Sequence, residues 1–281
     1  MPSIDLLVAV RREHAARYYK NLSAQKDLKV EIVSNTHDAL DILADRDKHV
    51  DVFVVDNGLG DTDDLIADLR HTYPRLLIIL VDEEADFGIP GQADEISTEP
   101  FENDDLIRRI GSLMSDRQLE TLRADSLPGV RAFAKKLRTA TGEGGKYQAA
   151  VEACQEMGYD YVGYYRLETL NPVNLTLKAQ VGPNAILAIM PKQASADDII
   201  GWVSKSGHSR TAGPQDNPTH PLVAKGRLGC VACVPVTFSG TRYGALIACR
   251  EQPHSINQEN VMMLELVSVQ LAAAISKESI G

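Results

Sequence analysis

The chain has 281 residues, of which 44% are hydrophobic, and its formal net charge is −10. This length predicts two domains of ordinary size, each with enough apolar residues to bury a core. Nucleic-acid-binding proteins usually carry a basic surface, which a chain with this net negative charge is not expected to have. The same charge gives no electrostatic attraction to an anionic membrane.

Other sequence features bear on the compartment. The N-terminal residues lack a basic segment followed by a long apolar core, so they do not form a secretory signal. No apolar run approaches the roughly 20 residues that span a bilayer. Four cysteines in a chain of this length do not indicate a disulfide framework. We therefore expect a cytoplasmic protein that binds neither nucleic acid nor membrane.

The first half alternates apolar runs with helical patterns. Strands are predicted at residues 4–10, 29–33, 51–55 and 76–81, and helices at 12–24, 36–45 and 62–73. Ala16, Tyr19 and Leu22 stand at helical spacing in the first helix, and Thr36 is the predicted N-cap of the second. The nearly continuous apolar character of 51–55 is typical of a central parallel strand. This order predicts an α/β, doubly wound parallel sheet with helices on both faces.

Residues 1–115 resemble the receiver domain of two-component response regulators. The likeness is carried by the strand that ends in Asp56 and by the segment at 93–101, where Glu99-Pro100-Phe101 stands in place of the family's Lys-Pro-Phe. The resemblance implies that Asp56 is the equivalent of the phosphoacceptor. It also implies a divalent cation site, which needs acidic residues after the first strand.

The groups that the resemblance requires around Asp56 are missing. Arg11 and Arg12 follow the first strand where the family has acids, and either could form an ion pair with Asp56. The family's hydroxyl residue falls on Val81 or Asp82. Its lysine falls on Glu99, whose carboxylate would repel a phosphoryl dianion. The sequence therefore predicts a pseudo-receiver with an inactive Asp56, and phosphorylation of Asp56 is the alternative.

Two further segments of the first half bear on contacts with partners. The stretch between the fourth and fifth strands contains Gly88, Pro90 and Gly91, which disfavour an ordinary helix there. Residues 116–140 form a predicted helical connector that Pro128 divides into two helices. Its apolar positions do not keep a strict heptad. The connector could dimerise or could pack on its own second domain, and the pattern leaves both open.

The second half begins with a predicted flexible boundary at residues 141–145, which is rich in glycine. Helices are predicted at 146–157, 197–205 and 257–276, and strands at 159–167, 175–181, 228–238 and 241–250. Ser239-Gly240 forms the tight turn between the last two strands. This is the pattern of an α+β domain with an antiparallel sheet.

Residues 141–281 resemble a GAF domain, a small-molecule sensor module. The likeness is carried by the segments at 199–203, 234–236 and 244–246 and by the apolar residues of the last helix. The resemblance implies a ligand pocket beside the sheet, with these wall candidates: Tyr161, Tyr165, Met190, Trp202, Cys230 and Val234. A Cys-His pair for a tetrapyrrole is absent, cyclic-nucleotide markers are not recognisable, and no cofactor or metal is predicted. The small-molecule ligand, if there is one, cannot be named.

Cys230 and Cys233 form a CxxC pattern, but residues three apart on a strand point to opposite faces. If Ser239-Gly240 is a two-residue turn, Cys230 lies opposite Cys249 on the next strand. Apolar neighbours predict buried thiols with raised pKa values. One lineage related to GAF domains uses cysteines to reduce methionine sulfoxide, so thiol chemistry is the enzymatic alternative.

These observations favour a non-enzymatic signal-transduction protein that acts through protein–protein contacts, including a homodimer. It would combine a degenerate receiver with a GAF-like sensor or dimerisation domain. A structural assembly scaffold without a ligand is a second hypothesis, and a response regulator phosphorylated at Asp56 is a third.

Overall fold

The computed structural model describes residues 3–85, 91–124, 128–216 and 228–278. The chain divides into two compact units. The first extends to residue 120 without Thr72–Arg75, and the second contains Thr72–Arg75 together with the residues from 121 onward.

The first unit contains a five-stranded parallel sheet in the order β2-β1-β3-β4-β5. This is one of the two common orders of doubly wound sheets. Its elements are β1 (Ile4–Ala9), α1 (Ala15–Leu22), β2 (Leu28–Val33), α2 (Thr36–Ala44), β3 (Val52–Asp56), a 3₁₀ turn (Asn57–Leu59), α3 (Thr62–Thr72), β4 (Leu77–Val81), β5 (Glu95–Ser97) and α4 (Asp105–Ala124). The predicted parallel sheet is confirmed.

Both faces of this sheet are covered, because every residue of β3 and β4 is buried. On one face Val52 and Val54 pack with Tyr18 of α1 and with Ile110 of α4. The alternate residues of the strands point the other way, and α2 and α3 also bury apolar residues. The continuous apolar runs in the sequence reflect this burial from two sides.

Local details of the first unit differ from the predictions. The first helix begins at Ala15 and turns Tyr18 and Leu22 inward, while Tyr19 is exposed. The N-cap of α2 is Asn35, because its extended backbone lets its side chain accept a hydrogen bond from the Asp38 amide at 2.8 Å. Between β4 and β5, the described residues 82–85 and 91–94 include no helix. Gly88 and Pro90 lie outside the described residues.

The second unit contains a six-stranded antiparallel sheet in the order β8-β7-β6-β11-β10-β9. Its elements are α5 (Pro128–Thr139), α6 (Gly142–Glu156), β6 (Tyr161–Leu170), β7 (Val173–Val181), α7 (Asn184–Ile189), β8 (Gln193–Ala194), α8 (Ile199–Ser206), β9 (Arg210–Ala212), β10 (Cys230–Phe238), β11 (Thr241–Arg250) and α9 (Gln258–Glu278).

Helices α5, α6 and α9 bury their apolar residues against one face of the antiparallel sheet. Phe133, Cys154 and Leu271 meet strand residues such as Val234 and Leu246 in this core. The buried apolar residues of α5 support the alternative in which this part of the connector packs on its own second domain. Pro128 is the first residue of α5, a position that does not need its missing amide hydrogen.

The prediction of a flexible boundary at residues 141–145 is wrong. Residues 142–145 form the first turn of α6. Glu143 holds this turn in place, because it accepts a hydrogen bond from the Tyr147 hydroxyl at 2.8 Å and pairs with Arg166 of β6. Side-chain contacts of this kind outweigh the conformational freedom that glycine brings to the segment.

Helix α9 corrects the expectation that no segment is apolar enough to span a membrane. By length and composition it is the one helix among the described residues that could do so, and 44% of its apolar window is buried. Leu264, Val267 and Leu271 of this helix are fully buried in the core of the second unit. Its apolar character is accounted for by that packing.

Candidate functional site

The first candidate site surrounds Asp56 at the carboxyl end of β3. The side chain is almost fully buried, with 5% of the residue exposed. One carboxylate oxygen, Oδ1, accepts a hydrogen bond from the Gly58 amide at 2.9 Å. The other, Oδ2, lies 3.3 Å from Arg11 Nε and 3.6 Å from His14 Nδ1. Both oxygens of the predicted phosphoacceptor are therefore engaged within the chain.

Arg11 lies in a space that Gly58 leaves open. A Cβ atom placed on Gly58 would stand 2.5 Å from Arg11 Nε and 2.6 Å from its Cζ. The pKa of Arg11 is raised above its ordinary value by its hydrogen bond to Asp56 and by the charge of that carboxylate. The guanidinium thus supplies a fixed positive charge beside Asp56. Of the two arginines considered from the sequence, Arg11 is the one that forms the ion pair.

The other predicted switch positions carry no phosphoryl-binding group. Val81 ends β4 directly beside Asp56 in the parallel register and is fully buried. Glu99 is exposed just after β5. The hydroxyl of Ser97 in β5 already forms a hydrogen bond, which it donates to the Asp105 carboxylate at 2.8 Å.

Tyr18 is a buried polar group near Asp56 that the sequence pattern missed. Its ring packs edge-on against Phe101 at 4.7 Å between centroids. Its hydroxyl is buried and has no hydrogen-bond partner among the described residues. Burial raises the pKa of this phenol, and the negative charges of Asp56 and Glu83 raise it further. Helical spacing alone does not separate the two tyrosines, because Tyr18 and Tyr19 lie four and three residues before Leu22.

The second candidate site is the face of the antiparallel sheet that does not meet α5, α6 and α9. Tyr161 and Tyr165 of β6 are fully buried there. The Tyr161 hydroxyl donates to Gln180 Oε1 at 3.2 Å, and the Tyr165 hydroxyl donates to the Pro191 carbonyl at 2.7 Å. A Cβ atom on Gly163 would lie 2.7 Å from the Tyr161 hydroxyl, so that ring lies across the strand. The protein's own tyrosines fill this part of the predicted pocket.

Helix α8 covers the same face. Asp198 caps it, because its carboxylate accepts from the amides of Ile200 and Gly201, each at 2.9 Å. Burial raises the pKa values of Tyr165 and Cys233, and the negative charge of Asp198 contributes to both shifts. Trp202 of α8 is buried, as is Met190 after α7.

Two of the predicted pocket residues belong to the other face. Val234 packs in the core under the helices. Cys230, an even number of residues away on the same strand, shares that side, and its Sγ lies 3.3 Å from both the Gln252 carbonyl and the Ser255 hydroxyl. Because strand residues alternate, the structure does not bring Cys230 and Val234 together with Tyr161 and Tyr165.

The predicted pairing of Cys230 with Cys249 is also wrong. The two-residue turn forms as expected, with Phe238 opposite Thr241. An irregularity at Val236/Thr237 then shifts the register by one residue, so Cys249 faces Val231 and Cys230 faces Arg250. All four cysteines are free and buried. Burial raises the pKa of Cys154 to about 12 and those of Cys233 and Cys249 well above their ordinary value.

One group of potential metal ligands occurs among the described residues, away from Asp56. Donor atoms of Asp5, His49 and Asp51 lie within 4.8 Å of one another at the start of the parallel strands. Lys29 Nζ stands 3.4 Å from Asp5, and the Asp5 amide donates to Asp51 at 2.9 Å. These contacts form an ion-pair network, which explains why the three side chains lie close together.

Comparison with known proteins identifies the second unit. Residues 147–276 match the family model of the GAF domain, so the chain carries a GAF domain there, a module typical of sensory and signalling proteins. No curated protein matches the chain significantly.

Solved structures similar to the chain span different activities. The GAF domain of a phosphoenolpyruvate-protein phosphotransferase from Coxiella burnetii is 15% identical, with a TM-score of 0.47, over 58% of this chain and 96% of that one. The free methionine-R-sulfoxide reductase of Neisseria meningitidis, in complex with its substrate, is 16% identical, with a TM-score of 0.46, over 53% and 86%. The phycoerythrobilin-bound GAF domain of a cyanobacterial phytochrome is 14% identical, with a TM-score of 0.44, over 54% and 95%. Likeness at this level carries no argument about ligand or activity.

Proposed function

We propose that the chain is a non-enzymatic signal-transduction protein that acts through protein–protein contacts. In this proposal residues 1–115 are a receiver-like domain that has lost phosphoryl transfer, 116–140 are the connector, and 141–281 contain the sensor or docking domain. The observation that carries the proposal is the ion pair between Arg11 and Asp56 at 3.3 Å.

Three features support a receiver-like first domain. The parallel strands follow the order 2-1-3-4-5, which receivers share with flavodoxin-like folds. Asp56 ends the central strand β3. Glu99-Pro100-Phe101 follows β5, and the Phe101 ring packs on Tyr18 of α1.

The surroundings of Asp56 oppose its phosphorylation. An attacking carboxylate needs a free oxygen and a divalent cation that bridges it to the phosphoryl group. Here Oδ1 is held by the Gly58 amide and Oδ2 by Arg11 and His14. On its side of Asp56, the guanidinium of Arg11 lies against Gly58 and supplies the positive charge that a divalent cation would otherwise bring.

Treatment with acetyl phosphate and Mg²⁺ tests the loss of phosphoryl transfer. We expect the intact mass of the protein to stay unchanged, because neither the nucleophile nor the cation site is available. An Asp56→Asn variant is the matched control for transfer to other residues. A mass gain of one phosphoryl group in the wild type that the variant lacks would show a working phosphoacceptor and remove the proposal.

An assembly scaffold without a ligand is the second candidate function. It is favoured by the buried, hydrogen-bonded positions of Tyr161 and Tyr165 on the face where a GAF ligand would bind. Native mass spectrometry of the protein from its own host separates the two candidates. A small molecule retained at one per chain supports the sensor, whereas a ligand-free assembly supports the scaffold.

A further inference from the structure

Helix α5 carries a row of exposed positive charges. The helix contains four basic residues and no acidic one. Its apolar residues, Val130, Phe133 and Leu137, are buried. Arg131, Lys135 and Arg138 stand at helical spacing on another side and are exposed. We name these three residues the basic stripe.

The basic stripe has no ion-pair partner among the residues that the structure describes. The fourth basic residue of the helix, Lys136, pairs with Glu156. None of the three stripe residues forms an ion pair in the part of the chain that the structure describes. Like charges four residues apart destabilise a helix by a few tenths of a kcal/mol. An anionic partner would offset this destabilisation. Such a stripe is unexpected on a chain whose net charge is −10.

The first unit presents the complementary surface. In a parallel sheet the segments that follow the strands all emerge at one edge. After β3, β4 and β5 those segments carry exposed carboxylates, which we name the acidic edge: Asp61, Asp63, Asp64, Glu83, Glu84, Glu99, Glu102 and Asp104.

A contact within the first unit shows that this edge accepts a cationic group. Arg11 places its guanidinium Nε 3.3 Å from Asp56, at the carboxyl end of β3.

We propose that the basic stripe of one copy binds the acidic edge of a second copy. Three positive charges are few for a polyanion, whereas the separate exposed carboxylates of the acidic edge complement them. Two such contacts related by a two-fold axis would close a dimer. The inference rests on the proposed function, because it names one partner for a protein that acts by contact.

Sedimentation velocity of the full chain at low and high salt tests the self-association. We expect a dimer at low salt, with a dissociation constant that rises about tenfold or more in high salt as the charges are screened. The stripe-reversed variant Arg131→Glu/Lys135→Glu and the edge-reversed variant Glu83→Lys/Glu102→Lys should each be monomeric. An equimolar mixture of the two should associate again, because each reversed surface meets its reversed partner.

The variant Lys20→Glu/Lys26→Glu is the control, since it makes the same charge change as the stripe reversal at exposed sites elsewhere. It should dimerise like the wild type. Carbodiimide cross-linking of mixed isotope-labelled wild-type copies gives a second readout that needs no variant, with links expected between Lys135 and acidic-edge carboxylates of different copies.

A wild type that is monomeric at every salt concentration would overturn the inference, as would a dimer that tolerates both reversals. Binding of the stripe to nucleic acid or to anionic vesicles without any dimer would also overturn it. None of these outcomes touches the proposed function, which the acetyl phosphate experiment tests separately.

Discussion

At the residue scale, the position of Arg11 depends on the absence of a side chain at residue 58. A Gly58→Ala substitution would place a methyl group 2.5 Å from Arg11 Nε, so the flexible arginine must move off Asp56. We expect Mn²⁺ to raise the melting temperature of this variant but not that of the wild type, because acidic groups lose their internal cation.

The control for this prediction is Gly111→Ala in α4, where a methyl group would meet nothing within 4 Å. That change should stabilise the helix by up to about 1 kcal/mol and confer no response to Mn²⁺. A metal response equal in wild type, control and variant would show that Arg11 does not occupy the cation position.

The buried thiols lead to a prediction about reactivity and pH. Only the thiolate reacts with an alkylating agent, and burial raises the pKa of Cys154 from 9.0 to about 12. Because the folded pKa lies above the unfolded one, this thiol contributes stability that is complete below pH 9.0 and falls as the pH approaches about 12. Mass spectrometry with iodoacetamide at neutral pH should find Cys154, Cys233 and Cys249 unmodified in the folded protein and modified in urea.

Rapid labelling of the folded protein at these cysteines would revive the thiol-chemistry hypothesis. The apolar neighbours of Cys233 and Cys249 predicted the raised pKa values of these two thiols, and burial is the main cause. Sequence reasoning could not predict the partners of Cys230, because hydrogen bonds to Gln252 and Ser255 depend on the loop after β11.

At the element scale, Gly244 marks the irregular part of the hairpin between β10 and β11. It has a φ of +149°, and a Cβ atom there would lie 1.9 Å from the Tyr165 carbonyl oxygen, which is backbone and cannot move aside. We expect Gly244→Ala to lower the free energy of unfolding by roughly 1 to 3 kcal/mol, measured by urea denaturation.

Gly240→Asn in the turn of the same hairpin is the comparison. Its φ is +77°, a conformation that asparagine tolerates, and nothing lies within 4 Å of the added Cβ atom. This variant should lose much less stability than Gly244→Ala. Equal losses would mean that backbone crowding at residue 244 is not the cause.

A strand or turn was predictable from the sequence where the pattern of its own residues is sufficient to define it. Continuous apolar runs identified β3 and β4, and the two positive-φ residues of the turn, Ser239 and Gly240, identified the last hairpin. The shift at Val236/Thr237 carries no signal in either strand alone, because it is a property of how two strands pair. The glycines at 142–145 led to a wrong prediction of a flexible segment for a similar reason. Glu143 of this segment pairs with Arg166 of β6, and the sequence of the segment alone does not show that contact.

At the scale of the whole molecule, the parallel and the antiparallel sheet followed from the order of elements. The candidate sites followed only in part. The parallel edge gathers Asp56 and Arg11 because strand ends meet there, which the sequence could indicate. The split of the pocket candidates between two faces of one sheet required the register of every strand, which no single segment encodes.

The contact between Arg11 and Asp56 also has a consequence for how the protein responds to its surroundings. A metal ion can be removed by a chelator, diluted or exchanged, but a side chain of the same polypeptide cannot. In the proposed function, the charge balance at this edge is therefore independent of cellular magnesium and of the supply of phosphodonors. If this edge binds partners only while Arg11 is paired with Asp56, the amount of bound partner depends on the concentration of the protein. Synthesis and degradation set that concentration.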